Sequence, residues 1–458
     1  MNRAARTRLR RLWPLAIIVA ILAANNFVPS YELSRGPSAR QQGIEQSELT
    51  CAIAPQTIGN ELRLSKLTTA MDVKAGSMTR SLQKVKGSTL VREFAPKTSA
   101  VSVSVGNDSI GNADATMLAS GKSTLFRGLL GQQCQQPDTS WWFVGAAASY
   151  GRRDLIILSN PLNSLASVDI EALTPHGVIH NSDSRGIRVK PRSRRILAMS
   201  KLFPGVTQSA LHITTTGGRI HAAVLMSGFA TAGTGAEWLP ATVLGAQRVP
   251  IPSDLDKASL FVASPTAAHI SVTATGANGT FTPVGMESTS VLAGGVVAFS
   301  ATGIAPDASS LIVASDVPVL VGVVGRIRRG AAAAGDFVAT AGMAPSMTHV
   351  RAVIGRKETS ARLILLGPDK LPARIDVTVA GTPSAWHKVI FVAAESSLSL
   401  ALPPRTSPAT LTLKASAGTF AATLSWRGQG AAVQPATDIA LMPQETTVLV
   451  RPAVQTVR

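Results

Sequence analysis

Aromatic residues are scarce in this chain. They make up 4% of its 458 residues, with only 2 Tyr and 6 Trp. Its cores must therefore be built from Val, Ile, Leu and Ala, and the scarcity argues against stacking platforms for single-stranded nucleic acid. Metal-binding patterns are missing too: none of the seven histidines forms an HExxH or another strong ligand spacing. There is no GxSxG nucleophile elbow. Gly121-Lys122-Ser123 matches the end of a phosphate-binding loop, but the glycine required five positions earlier is Thr116, so these residues read as a turn. No catalytic residue, metal or cofactor is expected. Long helical periodicity is absent after residue 30, apart from a possible single turn at Ala331–Ala334. Acidic residues are also few, 26 against 44 Lys and Arg, for a net charge of +18. An excess of that size favours an anionic environment, such as membrane headgroups or acidic polymers.

Part of the excess lies at the start. Arg3, Arg6, Arg8, Arg10 and Arg11 precede the apolar run Leu12–Ala24. Basic residues stay on the cytoplasmic side, so the remainder is expected to be translocated. Cleavage after Ala24 or Ala23 would place Leu22 or Ile21 where a small residue is needed. Residues 1–33 therefore read as a basic flank and an uncleaved membrane anchor in preference to a cleaved signal. Residues 34–47 are polar and read as a linker.

Cysteine occurs twice, at Cys51 and Cys134, both beyond the anchor. An even count in an exported chain is the setting in which disulfides persist. The region 48–140 between linker and repeats holds strand-like runs such as Ala100–Val105, which alternates with period two. It reads as an N-terminal β segment.

A longer pattern then recurs three times. Leu155–Val178, Leu260–Gly279 and Leu363–Gly381 each place an apolar run, a Pro-centred break, an alternating run and a turn in the same order. With Val168, Val272 and Val377 level, the period is about one small domain. Each copy ends in what reads as a closing hairpin, Ala210–Thr215 with Ile220–Met226 in the first. Many short strands rich in Val, Ile and Thr predict an all-β chain of tandem antiparallel β-sandwich, immunoglobulin-like domains at 141–245, 246–345 and 346–458.

Several residues invite a functional reading. Arg188, Lys190, Arg192, Arg194 and Arg195 lie in a stretch from Ser184 to Ala236 that contains no Asp or Glu. They sit at a tight connection read as a hairpin tip, and its counterpart, Leu292-Ala293-Gly294-Gly295, is uncharged. The charge is therefore an addition to the fold, suited to an anionic envelope polymer or lipid headgroups, against the plainer reading of a solvated edge. Trp141 and Trp142 offer rings for glycan stacking; the alternative places one in the core and the other over a domain junction. His212 and His221 are candidates to face each other across Gly217-Gly218, as a solvated or edge pair in preference to a zinc site. Asp154, Asp169, Glu171 and Asp183 form the nearest carboxylate cluster, with Asp169 and Glu171 on one strand face.

The segment Asp138–Ala146, followed by Leu158-Ser159-Asn160-Pro161 and Ala166-Ser167-Val168, resembles an actinobacterial, membrane-anchored family of unassigned function. Its members share a basic N-terminal anchor, a cysteine pair, a WWFVG-like start and NP-containing β-repeats. The second and third repeats depart from it, with Ser264-Pro265 and Gly367-Pro368 at the break. The resemblance implies an envelope location near surface glycan assembly, with assembly proteins as partners, and supplies no catalytic residues. The expected function is a non-enzymatic extracytoplasmic scaffold, accessory or polymer-binding protein with no nucleic-acid partner. The rival readings are a carbohydrate-active enzyme with an unfamiliar carboxylate site and a purely structural stalk.

Cys51 and Cys134 are predicted to be bridged, and the long loop they close makes the bond worth on the order of 4 kcal/mol in the chain-entropy model. Non-reducing peptide mapping of the exported protein is expected to recover the two cysteines in one linked peptide pair.

Overall fold

A computed structural model of the chain describes residues 46–55, 58–65, 71–75, 78–82, 89–94, 101–106, 115–122, 127–228, 235–252, 255–276, 279–304, 308–329, 333–354, 360–368, 370–380, 385–404, 408–427 and 431–436. All belong to one compact unit, Glu45–Leu441. No helix among them is long and apolar enough to cross a membrane. The expected anchor, and the linker as far as residue 45, lie outside the described residues.

The described chain is nearly all β, in four successive sets of strands. The N-terminal set holds β1 (Gln46–Cys51), β2 (Ile58–Ser65), β3 (Met71–Ala75), β4 (Met78–Leu82), β5 (Thr89–Phe94), β6 (Val101–Gly106), β7 (Ala115–Lys122) and β8 (Arg127–Gln133). They form two sheets, β1-β6-β3-β4 and β5-β2-β7-β8, with Leu49, Leu62, Val103 and Met117 in the core they share. Cys51, ending β1, is disulfide-bonded to Cys134, just beyond β8.

The second set comprises β9 (Ser140–Ala146), β10 (Leu155–Asn160), β11 (Ala166–Thr174), β12 (Gly177–Ile179), β13 (Ile187–Val189), β14 (Ser193–Ala198), β15 (Ser209–Gly217), β16 (His221–Ser227), β17 (Ala236–Leu239) and β18 (Ala241–Thr242). One sheet runs β14-β10-β16-β17 and the other β18-β9-β15-β11. The third set comprises β19 (Arg248–Pro250), β20 (Leu255–Ser264), β21 (Ala268–Gly276), β22 (Gly279–Phe281), β23 (Thr289–Val291), β24 (Gly295–Ser300), β25 (Ser310–Ser315), β26 (Leu320–Arg329) and β27 (Ala333–Ala341). Ala333 and Ala334 thus belong to a strand and not to a helical turn. Here β19-β25-β21-β22 forms one sheet, and β24-β20-β26-β27 continues from β11 through a single parallel pair, Thr174 with Gly295. The fourth set comprises β28 (His349–Ile354), β29 (Ser360–Leu366), β30 (Ala373–Ala380), β31 (Trp386–Val392), β32 (Ser397–Ala401), β33 (Ala409–Ala417), β34 (Ala421–Arg427) and β35 (Ala431–Ala436), in sheets β28-β33-β30-β31 and β32-β29-β34-β35.

The recurring Pro-centred break marks the point where the chain leaves one sheet for the other. β10, β20 and β29 precede it and pair with β16, β26 and β34. β11, β21 and β30 follow it and pair with β15, β25 and β33 in the opposite sheet. Asn160 holds the first break from within: its side chain is buried, donates to Ser164 O and Val189 O, and accepts from Leu162 N. Each crossover is braced by a residue with positive φ that donates its backbone N–H back to the break: Arg192 to Leu162 O, Gly294 to Pro265 O and Glu395 to Pro368 O.

This arrangement corrects two sequence expectations. The closing hairpins are not hairpins, because β15 and β16, like β25 with β26 and β33 with β34, lie in different sheets. The connection through Pro191 is likewise an arc between sheets, since β13 pairs with β11 whereas β14 pairs with β10. Period-two alternation shows that one face of each strand is buried, and it carries no information about which strand lies alongside.

The four sets meet in cyclic order. Ala119 and Leu130 of the N-terminal set pack with Ile157 and Leu225 of the second. Val144, Leu173 and Ala210 of the second pack with Ala263, Val296 and Leu320 of the third. The third and fourth share a buried hydroxyl cluster, in which Ser397 bonds Thr275 and Ser309. Leu118 and Leu129 of the N-terminal set then enter the core of the fourth. Within this circuit β8 touches β17, β17 touches β27, β27 touches β35, and β35 touches β8.

Gly145 enables one of these junctions. Its φ is +101°, and a Cβ placed on it would lie 2.6 Å from Val324 Cγ2 of the third set. Gly145→Ala is therefore expected to destabilise the protein by about 1–3 kcal/mol. Gly217→Ala, at an open site, should be neutral or slightly stabilising. Denaturant melts of the two variants beside the parent check this contrast.

Candidate functional site

Residues 185–195 run from the 3-10 turn at Ser182–Ser184 to the arc, along one side of the second set. Arg185, Arg188, Lys190 and Arg195 are exposed. Two of the expected anion-binding residues, Arg192 and Arg194, already have partners. Arg194 is pulled inward and donates to Ile53 O at 2.7 Å. Its guanidinium pKa is lowered by burial. Arg192 pairs with Glu48 at 3.6 Å and donates to Asn163 Oδ1 at 2.9 Å. Both therefore tie the N-terminal set to the second. Arg195 donates to Arg188 O across the same turn.

The two tryptophans take different positions. Trp141 is a core residue whose Nε1 donates to Ile220 O at 3.1 Å. Trp142, next on β9, faces the other way. It packs beside the core shared by the second and third sets, and its ring lies parallel to that of His212 with centroids 3.7 Å apart. One face of the Trp142 indole is thus covered by the protein itself.

His212 and His221 do not meet across the Gly217-Gly218 turn, because the strands carrying them lie in different sheets. His212 is held by Trp142 and by Ser140 Oγ at 3.0 Å from Nε2. Burial lowers its pKa, and the nearby Glu171 carboxylate opposes that shift. His221 is fully buried, edge-on to Trp141 and 3.4 Å from Gln132 of the N-terminal set. Burial lowers its pKa to about 3.

The carboxylates are dispersed. Asp154 is buried and holds Arg152 and Ala147 N. Asp169 accepts from Gly186 N, and Glu171 lies 3.4 Å from His180 Nδ1. Among the described residues no group of three or more His, Cys, Asp or Glu is placed to hold a metal ion. Gly121 and Lys122 lie within β7, and Ser123 falls outside the described residues.

One cluster went unread in the sequence. Arg152 and Arg326 both approach the ring of Phe337, at 5.5 and 4.8 Å from its centroid. The three residues are scattered along the chain, and no local spacing signals their meeting.

A nearly all-β protein whose first set is closed by a disulfide is the class these features define. The chain belongs to DUF5719, a family of unknown function, whose model matches residues 94–403. No curated protein matches it. Among solved structures it is similar to the BSP domain of a biofilm associated protein, at 8% identity over 86% of this chain and 96% of that one, with a TM-score of 0.13. It is also similar to a tetra-tandem repeat from the extending region of a large adhesion protein (14% identity, 86% and 96% covered, TM-score 0.11). A third is a Ca2+-stabilised adhesin with which an Antarctic bacterium binds ice (9% identity, 86% and 94% covered, TM-score 0.11). Likenesses at this level carry no inference about fold or role.

The buried His221 sets an acid limit on stability. Unfolded, its imidazole titrates near its ordinary pKa of 6.5; folded, it stays neutral down to about pH 3. Between those values the unfolded chain binds a proton that the folded one refuses. This contribution is therefore complete above pH 6.5 and is lost as pH falls, by about 1.4 kcal/mol per pH unit. His221→Gln is expected to flatten the stability–pH slope between pH 4 and 6 by about one proton. Denaturant titrations at several pH values measure that slope.

Proposed function

We propose that this protein is a non-enzymatic, membrane-anchored scaffold or polymer-binding protein of the cell envelope, its bulk outside the membrane and its role linked to surface glycan assembly. Each strand set is read as one module: an N-terminal β segment at 48–140 and immunoglobulin-like sandwiches at 141–245, 246–345 and 346–458. The observation that carries the reading is the Cys51–Cys134 disulfide. Such bonds persist in oxidising compartments, and this one follows a basic, apolar leader with the charge order of an exported chain. Contact between the first and last sets favours a compact scaffold over an extended stalk. The exposed cations Arg188, Lys190 and Arg195 suit an acidic polymer or anionic headgroups, whereas Arg192 and Arg194 serve the N-terminal junction.

Cosedimentation with isolated envelope fractions across a salt series tests this. The variant Arg188→Gln/Lys190→Gln/Arg195→Gln is expected to fold normally and to bind about tenfold or more weakly at low salt. The parent's binding should fade as the Debye length shrinks. Equal binding by the two would remove the polymer-binding role, and turnover of an envelope glycan by the purified protein would favour the enzymatic rival.

A further inference from the structure

The junction between the second and third sets gathers three cations, Arg152, Lys257 and Arg326. Arg326 on β26 stands opposite Phe337 of β27 on one side and Lys257 of β20 on the other. Directly opposed cations on neighbouring strands repel. Arg152 approaches the same Phe337 ring from the second set. Its charge is answered: Asp154 takes Nε at 3.0 Å and closes a second bond at the guanidinium end. Among the described residues Arg326 makes no hydrogen bond or ion pair, and its guanidinium lies over the Phe337 ring. The adjacent Asp336 makes no ion pair with Arg326; its Oδ1 accepts from Phe337 N at 3.0 Å, beside Gly128 and Gly235. Among the described side chains, Arg326 and Lys257 therefore have no carboxylate partner, at a place where Arg326 is partly withdrawn from water. The burial and the nearby Arg152 charge both lower the Arg326 pKa, as expected for a cation lacking its counter-ion.

We propose that Arg326, with Lys257 and Arg152 beside it, forms a binding site for a phosphate group carrying two negative charges. Arg326 and Lys257 together carry two positive charges, which a phosphate dianion balances. A planar guanidinium presents paired donors that match two phosphate oxygens. The Phe337 ring holds the Arg326 head in place by its π face, so less freedom is lost when the anion binds. The dianion is either free inorganic phosphate or a terminal phosphomonoester on a larger molecule. The site is separate from the exposed cations at 188–195 and does not depend on the function proposed for them.

The test is calorimetric titration of the full-length protein with inorganic phosphate at low ionic strength, followed by thermal melts at each phosphate concentration. The parent should bind saturably and melt higher as phosphate rises. Arg326→Gln should weaken binding about tenfold or more. Arg326→Lys, which keeps the charge but loses the fork, should recover only part of that loss. The triple variant at Arg188, Lys190 and Arg195 should bind phosphate like the parent. Tighter binding of glycerol 3-phosphate than of inorganic phosphate would assign the site to monoesters, and the reverse order to the free ion. Absence of a saturable response at millimolar phosphate would overturn the proposal. So would an Arg326→Gln protein that folds by circular dichroism and binds as well as the parent.

Discussion

A β-sheet ends in a strand whose outer backbone groups have no partner, and such edges invite association with other chains. In this protein the strands that end four of the sheets, β8, β17, β27 and β35, are brought against one another. They need not form a common sheet to gain from this, because each edge shields the next. Small residues permit the approach. Gly128 and Gly235 both lie so close to Asp336 that neither position has room for a Cβ. The pairwise junctions farther out follow from this convergence: once the edges meet, the flanks of neighbouring sets are forced together and must be filled.

Those flanks are filled by different chemistry at each junction. Apolar side chains dominate between the first and second sets and between the second and third. Between the third and fourth, a cluster of Met343, Ile364 and Leu366 is joined by hydroxyls, with Ser397 also bonding Thr275 O, and Arg248 donates to Gly367 O. The basic excess of the chain is thus not a single property. Arg194 and Arg248 satisfy carbonyls at junctions, whereas Arg188 and Lys190 face water. Arg194 and Arg248 are committed to those carbonyls, and composition cannot separate them from the exposed class.

Much of the local architecture was legible in the sequence. The period-two runs did mark strands, and each Pro-centred break did interrupt the chain between an apolar and an alternating strand. The disulfide followed from an even cysteine count in a chain read as exported. Strand partners were not legible. Gly217-Gly218 reads as a hairpin turn, yet Gly218, with φ of +76°, lets the chain pass from one sheet to the other. The same limit hid the approach of Arg152 and Arg326 to Phe337, since residues from two strands and a loop come together only through sheet order. It also made Arg192 and Arg194 look free, because their partners Glu48 and Ile53 lie far back in the chain.

The circuit of contacts has a thermodynamic corollary. In an open row of repeats the terminal units have one neighbour each, so unravelling starts there and spreads, and capping repeats evolve to slow it. A row whose last member touches its first has no such weak point. Opening any one set breaks two junctions at once, which couples the four into something closer to a single melting unit. Chain order then matters less than neighbour order, much as a necklace keeps its sequence of beads wherever the clasp is placed.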